Sequence, residues 1–137
     1  MKFKYSYLTD EQIAFIANGC GGKGGLIKPP DFLFLASCKK HDFYYWRGCS
    51  EKLRKIYDGK FYKFMLEDIA NARWYLKPHY HVWAYAYYKF VRLGGKKYFY
   101  YGLKMKTIAD LHKEMEEAEH EKLIELNNAY DTDSIGI

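Results

Sequence analysis

The stretch between residues 31 and 47 constrains the fold most strongly, because it is predicted to be a helix with one chemically mixed stripe. Pro29-Pro30-Asp31 is typical of a helix start, and Gly48 is expected to end the helix. Spacings of four, three and four residues align four side chains on this helix: Phe34, Cys38, His41 and Tyr45. Asp42 stands beside that stripe, so a histidine and a carboxylate project from neighbouring positions.

A glycine-rich segment precedes this helix and is predicted to be a loop: Gly19-Cys20-Gly21-Gly22-Lys23-Gly24-Gly25. Successive carbonyls of such a loop can turn towards a hard cation, and calcium accepts carbonyl and carboxylate oxygens. Asp42 can supply the carboxylate, and His41 is then a candidate base beside the metal. A flexible loop without metal is the competing interpretation. The segment is not a Walker phosphate loop, because Gly24 stands where Ser or Thr is needed.

The rest of the chain predicts further helices. A capping box of Thr9 and Gln12 opens a short helix that ends at Asn18-Gly19. A second long helix is expected over 50–76, with Asp58-Gly59 as a weak point, because glycine costs about 1 kcal/mol inside a helix. We also predict a helix over 79–93, an extended segment over 97–101, and a last helix from 107 to about 127 with a frayed end from 131.

Charge divides the chain into two parts. Residues 1–106 contain 20 Lys and Arg against 8 Asp and Glu, whereas residues 107–137 contain 2 against 9. The sequence therefore predicts a basic domain over 1–106 and an acidic C-terminal helix with a frayed tail over 107–137. A basic body favours an anionic partner such as phospholipid head groups, nucleic acid or the chain's own acidic tail.

Neither targeting signals nor the spacing of the cysteines and histidines indicates a specific site. We find neither a signal peptide nor an apolar run of about 18 residues that could span a membrane, so we expect synthesis in the cytoplasm. The three cysteines are an odd number, so at least one lies outside any intrachain disulfide. His79-x-His81 lacks the paired spacing of a structural zinc site, as does the set Cys20, Cys38, His41 and Cys49.

The loop and the helix together resemble the phospholipase A2 superfamily, and most closely its bacterial and fungal secreted branch. The resemblance begins with Gly22-Lys23-Gly24-Gly25, a proline, and Cys38-Lys39-Lys40-His41-Asp42-Phe43-Tyr44-Tyr45. It continues on the second helix, where Asp58 precedes Phe61-Tyr62 and Met65 as a catalytic aspartate does in that branch. Tyr87 to Gly94 resembles the pattern of its third helix, so the likeness covers roughly residues 18–95.

The resemblance implies an all-α fold in which a glycine-rich calcium loop accompanies two long antiparallel catalytic helices and smaller flanking helices. It also implies calcium-dependent hydrolysis of the sn-2 acyl ester of glycerophospholipids at a membrane surface. His41 would be the general base, Asp58 would fix its tautomer, and Tyr45 would hold Asp58. The expected calcium ligands are the carboxylate of Asp42 and carbonyls near Cys20, Gly22 and Gly24.

Several features depart from that family. The loop has one glycine more than usual, the disulfide framework is missing apart from a candidate pair of Cys20 and Cys38, and no export signal is expected. Residence in a viral or phage particle, or release on lysis, would bring such an enzyme to extracellular calcium.

The competing hypothesis is a catalytically silent phospholipase-like module that binds membranes or proteins. A nucleic-acid partner is not expected, because no such motif is found. Candidate walls of an acyl slot are Ile13, Ile16 and Phe34.

Overall fold

The computed structural model describes residues 3–17 and 33–134, with only the backbone for 132–134. These ranges contain five α-helices: α1 (Asp10–Ile16), α2 (Leu35–Arg47), α3 (Glu51–Ala70), α4 (Lys77–Gly94) and α5 (Ile108–Ser134). Short 3₁₀ helices occupy Tyr5–Tyr7, Trp74–Leu76 and Gly95–Tyr98. No β-strand occurs in the described ranges, so the predicted all-α class is confirmed for them. The chain forms two compact units, Met1–Lys106 and Thr107–Ile137.

None of the helices in the described ranges is both long enough and apolar enough to cross a bilayer. The predicted capping box at the start of α1 is confirmed. Thr9 Oγ1 accepts from the Gln12 amide at 3.2 Å, and Gln12 Oε1 accepts from the Thr9 amide at 2.9 Å. The predicted end of this helix, Asn18-Gly19, lies outside the described residues.

Gly48 ends α2, as the sequence predicts, and the position requires glycine. Its φ of 63° lies in the left-handed region, and a Cβ built there would stand 1.9 Å from the Tyr100 carbonyl oxygen. The Cys49 amide then donates to that carbonyl at 2.9 Å, which ties the end of α2 to the segment after α4. The predicted start at Asp31 lies outside the described residues, and Leu33 and Phe34 form a turn before α2.

Helix α3 ends earlier than predicted, but it is not interrupted in its middle. It is continuous through Asp58 and Gly59, so the expected weak point does not interrupt it. The helix ends at Ala70 instead of residue 76, because the Asn71 amide bonds the last carbonyls at Asp68 and Ile69. Pro78 does not stop this helix; it lies in the first turn of α4, where a residue without an amide hydrogen fits.

Two predictions after α4 are corrected. The extended segment over 97–101 is wrong, since Gly95–Tyr98 is a 3₁₀ helix and only Cys49 and Tyr101 form an isolated bridge. Helix α5 begins after Thr107, whose hydroxyl donates to Asp110 at 3.1 Å. It continues to Ser134, beyond the predicted end near 127 and into the segment expected to fray, because no glycine or proline interrupts it.

Helices α2 and α3 are antiparallel, because their partners run in opposite directions along the chain. Ser37 donates to Asp68 at 2.5 Å, whereas His41, one turn later on α2, contacts Asp58, which lies three turns earlier on α3. Tyr45, a further turn along α2, reaches the side chain of Arg54, one turn earlier again. The pairing therefore brings the middle of α2 against the first half of α3.

Among the described residues, two apolar clusters include side chains from these helices. The larger one joins α2, α3 and α4 through eight buried side chains: Phe34, Cys38, Phe61, Met65, Ile69, Tyr80, Ala84 and Tyr87. The smaller one packs Tyr45 and Tyr57 against Phe99. Phe34 is fully buried and its ring meets those of Tyr80 and Tyr87, so the expectation that it lines an acyl slot is wrong. The ring of His41 contacts Phe61 of the larger cluster and Tyr45 of the smaller one, so close packing on both sides holds it in place.

Candidate active site

His41 on α2 and Asp58 on α3 form a buried hydrogen-bonded pair. The imidazole Nε2 lies 2.8 Å from Asp58 Oδ1, which is a normal hydrogen-bond length. Both residues are buried, and Asp58 has no exposed surface. Because the two helices are antiparallel and packed, this distance is set by the backbone positions of two regular elements. A residue pair 17 positions apart in sequence is thereby brought into direct contact.

The two oxygens of Asp58 have separate partners. Oδ1 accepts from Tyr45 Oη at 2.5 Å as well as bonding His41, and Oδ2 accepts from Arg92 Nη1 at 2.7 Å. Arg54 Nη1 lies farther from Oδ2, at 3.4 Å. Burial alone raises the pKa of Asp58, but the hydrogen bonds that it accepts outweigh burial and hold the pKa below its usual value. Asp58 is therefore an ionised carboxylate in the core.

This ionisation fixes the tautomer of His41. A carboxylate without a proton only accepts hydrogen bonds, so the hydrogen of the 2.8 Å contact is on His41 Nε2. The lone pair of a neutral His41 then lies on Nδ1. Burial lowers the pKa of His41, against the opposing effect of Asp58, and the ring is neutral at neutral pH. His41 is therefore a neutral imidazole with its proton on Nε2 and its lone pair on Nδ1.

Aromatic rings hold the imidazole from two sides. The ring of Phe61 stacks on His41 with a centroid distance of 4.4 Å and an interplanar angle of 24°. The ring of Tyr45 lies 4.1 Å from the imidazole centroid. Burial raises the pKa of Tyr45, as does its bond to Asp58, so its hydroxyl keeps its proton and donates. Both contacts restrict rotation of the imidazole about its bond to Cβ.

A second carboxylate extends the network to the surface. Glu51 accepts both Nε and Nη2 of Arg54, at 2.8 and 2.7 Å, in a bidentate pair. Bonds from Arg54 and from the Tyr101 hydroxyl lower the pKa of Glu51 to about 2. The side chain of Arg54 is only 1% exposed, and it also donates to the Val91 carbonyl at 2.9 Å. Two guanidinium groups thus balance two carboxylates, and no buried side-chain polar atom among the described residues lacks a partner.

Three residues of this site were not identified as such from the sequence: Arg54, Arg92 and Gly95. Arg54 had a local signal, since Glu51, Arg54 and Asp58 follow the spacing of a helical ion-pair ladder. Arg92 lies 34 residues from Asp58, so no spacing rule relates them. A Cβ on Gly95 would approach Tyr45 Oη to 2.5 Å, whereas Gly94 faces open space. Gly95 therefore serves the packing of the site and does not merely end a helix.

Asp42 is the only predicted calcium ligand within the described residues; Cys20, Gly22 and Gly24 lie outside them. Asp42 is half-buried. Burial raises the pKa of Tyr5, and the negative charges of Asp10 and Asp42 raise it further. Over residues 3–17 and 33–134, no group of three His, Cys, Asp or Glu residues could hold a metal ion. Calcium at Asp42 therefore depends on further oxygens from elsewhere in the chain.

Cys38 is disulfide-bonded and Cys49 is a free thiol, while Cys20 lies outside the described residues.

A cleft of about 370 Å³ lies between α1 and α2 and is lined in part by Ile13, Leu35 and Lys39. These α2 residues are on a different face of the helix from His41. The cleft thus includes one expected slot residue, Ile13, but does not border the imidazole.

Comparison with known protein families, with curated proteins and with solved structures finds no match to this chain.

Proposed function

We propose that this protein is a calcium-dependent hydrolase of the phospholipase A2 type, which cleaves the sn-2 acyl ester of glycerophospholipids. One observation carries the proposal: a neutral, buried His41 whose Nε2 is held by an ionised Asp58 at 2.8 Å. The sequence resemblance over roughly residues 18–95 adds the substrate class, since its glycine-rich loop and its His-Asp motif resemble those of that superfamily. The bond from Tyr45 to Asp58 supports the same assignment.

In this mechanism, His41 removes a proton from the attacking water. The lone pair on Nδ1 takes the proton, and the developing imidazolium is stabilised by Asp58 across the Nε2 hydrogen bond. Asp58 does not take the proton; it orients the ring and supplies a negative charge. Water is the nucleophile, so no acyl-enzyme forms. Proton transfer back from His41 to the leaving alkoxide completes the turnover.

Asp42 would contribute the protein carboxylate to a calcium site beside this base. Because Asp42 follows His41 directly, its side chain points about 100° further round α2 and towards a neighbouring position. Bound there, calcium would supply positive charge to the ester carbonyl, where negative charge develops. The proposal predicts a strict requirement for the metal, since a histidine base alone does not stabilise that charge.

Hydrolysis of phospholipid vesicles tests the proposal directly. We expect fatty acid to be released from the sn-2 position with calcium and no release with a chelator. Equal rates under both conditions would rule out the metal, and absence of release under both would rule out the activity. Vesicle binding without release in either condition would select the alternative, a catalytically silent module that binds membranes.

A further inference from the structure

Helix α4 has apolar side chains on two opposite faces. One face packs into the core through Tyr80, Ala84, Tyr87 and Val91. At 100° per residue, the opposite face carries a second stripe, which we name the outer stripe: Pro78, Val82, Tyr85, Ala86, Lys89 and Leu93. Lys89 is the single charged member. An exposed row of large apolar side chains is a candidate interaction surface, so the outer stripe needs an explanation.

The outer stripe is open to solvent. Val82 is 70% exposed and Leu93 is 85% exposed. Tyr85 is exposed too, and the Lys89 ammonium lies 5.5 Å from its ring centroid, where it shields only part of the ring. From Pro78 to Leu93 the stripe is about 22 Å long, at 1.5 Å per residue. Trp74, just before α4, is 80% exposed as well.

The chain on either side of the outer stripe carries charge of one sign. Between Asp68 and Asp110 the chain contains eight Lys and Arg residues and no Asp or Glu. Of these, Lys89 lies on the outer stripe itself, whereas Arg92 is paired with Asp58. An occupant of this face would therefore be anionic and would also have to accept aliphatic side chains.

An anionic bilayer satisfies both conditions. Aliphatic side chains and Trp or Tyr enter the interface, while lysine side chains extend to the lipid phosphates. A second copy docking through the same stripe would bring Lys89 against Lys89 without a counter-charge. Nucleic acid would use the lysines but would gain nothing from Val82 or Leu93.

We infer that the outer stripe of α4 is a docking surface for anionic phospholipid bilayers, with Val82 and Leu93 inserting and Lys89 contacting the head groups. The surface is made by α4 and does not include His41, Asp58 or Tyr45. Docking therefore needs no turnover, and the inference does not depend on the hydrolysis proposed above.

Co-sedimentation with vesicles in the presence of chelator tests the inference without hydrolysis. The probes are vesicles of phosphatidylcholine mixed with phosphatidylglycerol, and vesicles of phosphatidylcholine alone. We expect Val82→Ser/Leu93→Ser to weaken binding to the mixed vesicles about tenfold or more, because two insertions are lost. Lys89→Gln should weaken it about fivefold, and binding to phosphatidylcholine alone should be weaker than to the mixture.

The matched control is Leu123→Ser/Leu126→Ser, which makes a similar change at two exposed leucines of α5 and should bind as the wild type does. Since the altered side chains are exposed, all variants should keep the wild-type melting temperature. Equal binding by the outer-stripe variant and the wild type would overturn the inference, as would no binding by the wild type. Tighter binding to mixed-sequence DNA, or a lipid-free dimer dissolved by Val82→Ser/Leu93→Ser, would overturn it as well.

Discussion

Arg92 on α4 donates to Asp58 on α3 at 2.7 Å, so the carboxylate that holds His41 is itself held from a third helix. Asp58 is fully buried, and its charge is tolerated only because guanidinium and hydroxyl donors surround it. The site therefore depends on the packing of α4 as well as on the antiparallel pair of α2 and α3. Substitutions on α4 should therefore affect the imidazole of His41.

Arg92→Gln should lower the free energy of unfolding by about 1–3 kcal/mol, because it removes a charged donor from a buried acceptor. Chemical denaturation measures the loss. Lys89→Gln, one turn earlier on α4, is the matched control; it has no ion pair with Asp58 and should change stability by less than about 0.5 kcal/mol. Equal stabilities of the two variants would contradict a structural role for the Arg92–Asp58 pair.

Gly95→Ala and Gly94→Ala form a second matched pair. A Cβ at Gly95 would stand 2.5 Å from Tyr45 Oη and 3.2 Å from Arg54, whereas a Cβ at Gly94 meets nothing within 4 Å. We expect Gly95→Ala to cost about 1–3 kcal/mol through overpacking, and Gly94→Ala to be neutral or slightly stabilising. Thermal denaturation of both variants decides the point. Similar melting temperatures would mean that the contact at Gly95 relaxes without effect.

Stability should fall as the protein is acidified. The pKa of His41 is lowered below 6.5 by burial, so the unfolded chain takes up a proton first, and stability declines as pH falls through 6.5. The pKa of Glu51 is lowered from 4.5 to about 2 by Arg54, which adds a second decline between those values. Urea denaturation at a series of pH values measures both. His41→Asn should remove the first decline and keep the second, and a rise in stability between pH 7 and pH 5.5 would contradict this account.

Helical spacing and the family resemblance together explain which part of the site the sequence could predict. The stripe on α2 follows from helical spacing, and the phospholipase A2 resemblance adds Asp58, so His41, Tyr45 and Asp58 were predicted as one group. Spacing cannot supply the partners that cross between distant helices. Arg92 reaches Asp58 through the packing of α4, and Gly95 matters only because Tyr45 lies against it.

The errors in helix ends have a similar origin. The sequence predicts a helix that ends at residue 76, before Pro78, because proline lacks an amide hydrogen, but the same property fits the first turn of a new helix. Residues 97–101 have the aromatic composition of a strand. Their backbone bonds Tyr45 at the end of α2 and Cys49 instead of a neighbouring strand, so an isolated bridge forms and no sheet. Propensity gave the local preference, and the available partners decided the outcome.

The central claim is that His41 acts as the base in ester hydrolysis. Its most direct test is the rate of sn-2 fatty acid release from phospholipid vesicles with calcium, for His41→Asn against the wild type. His120→Asn, at an exposed histidine of α5, is the matched control. We predict that His41→Asn lowers the rate about 10²–10⁴-fold with the helical fold retained, and that His120→Asn leaves it unchanged. A folded His41→Asn variant with the wild-type rate would contradict the claim.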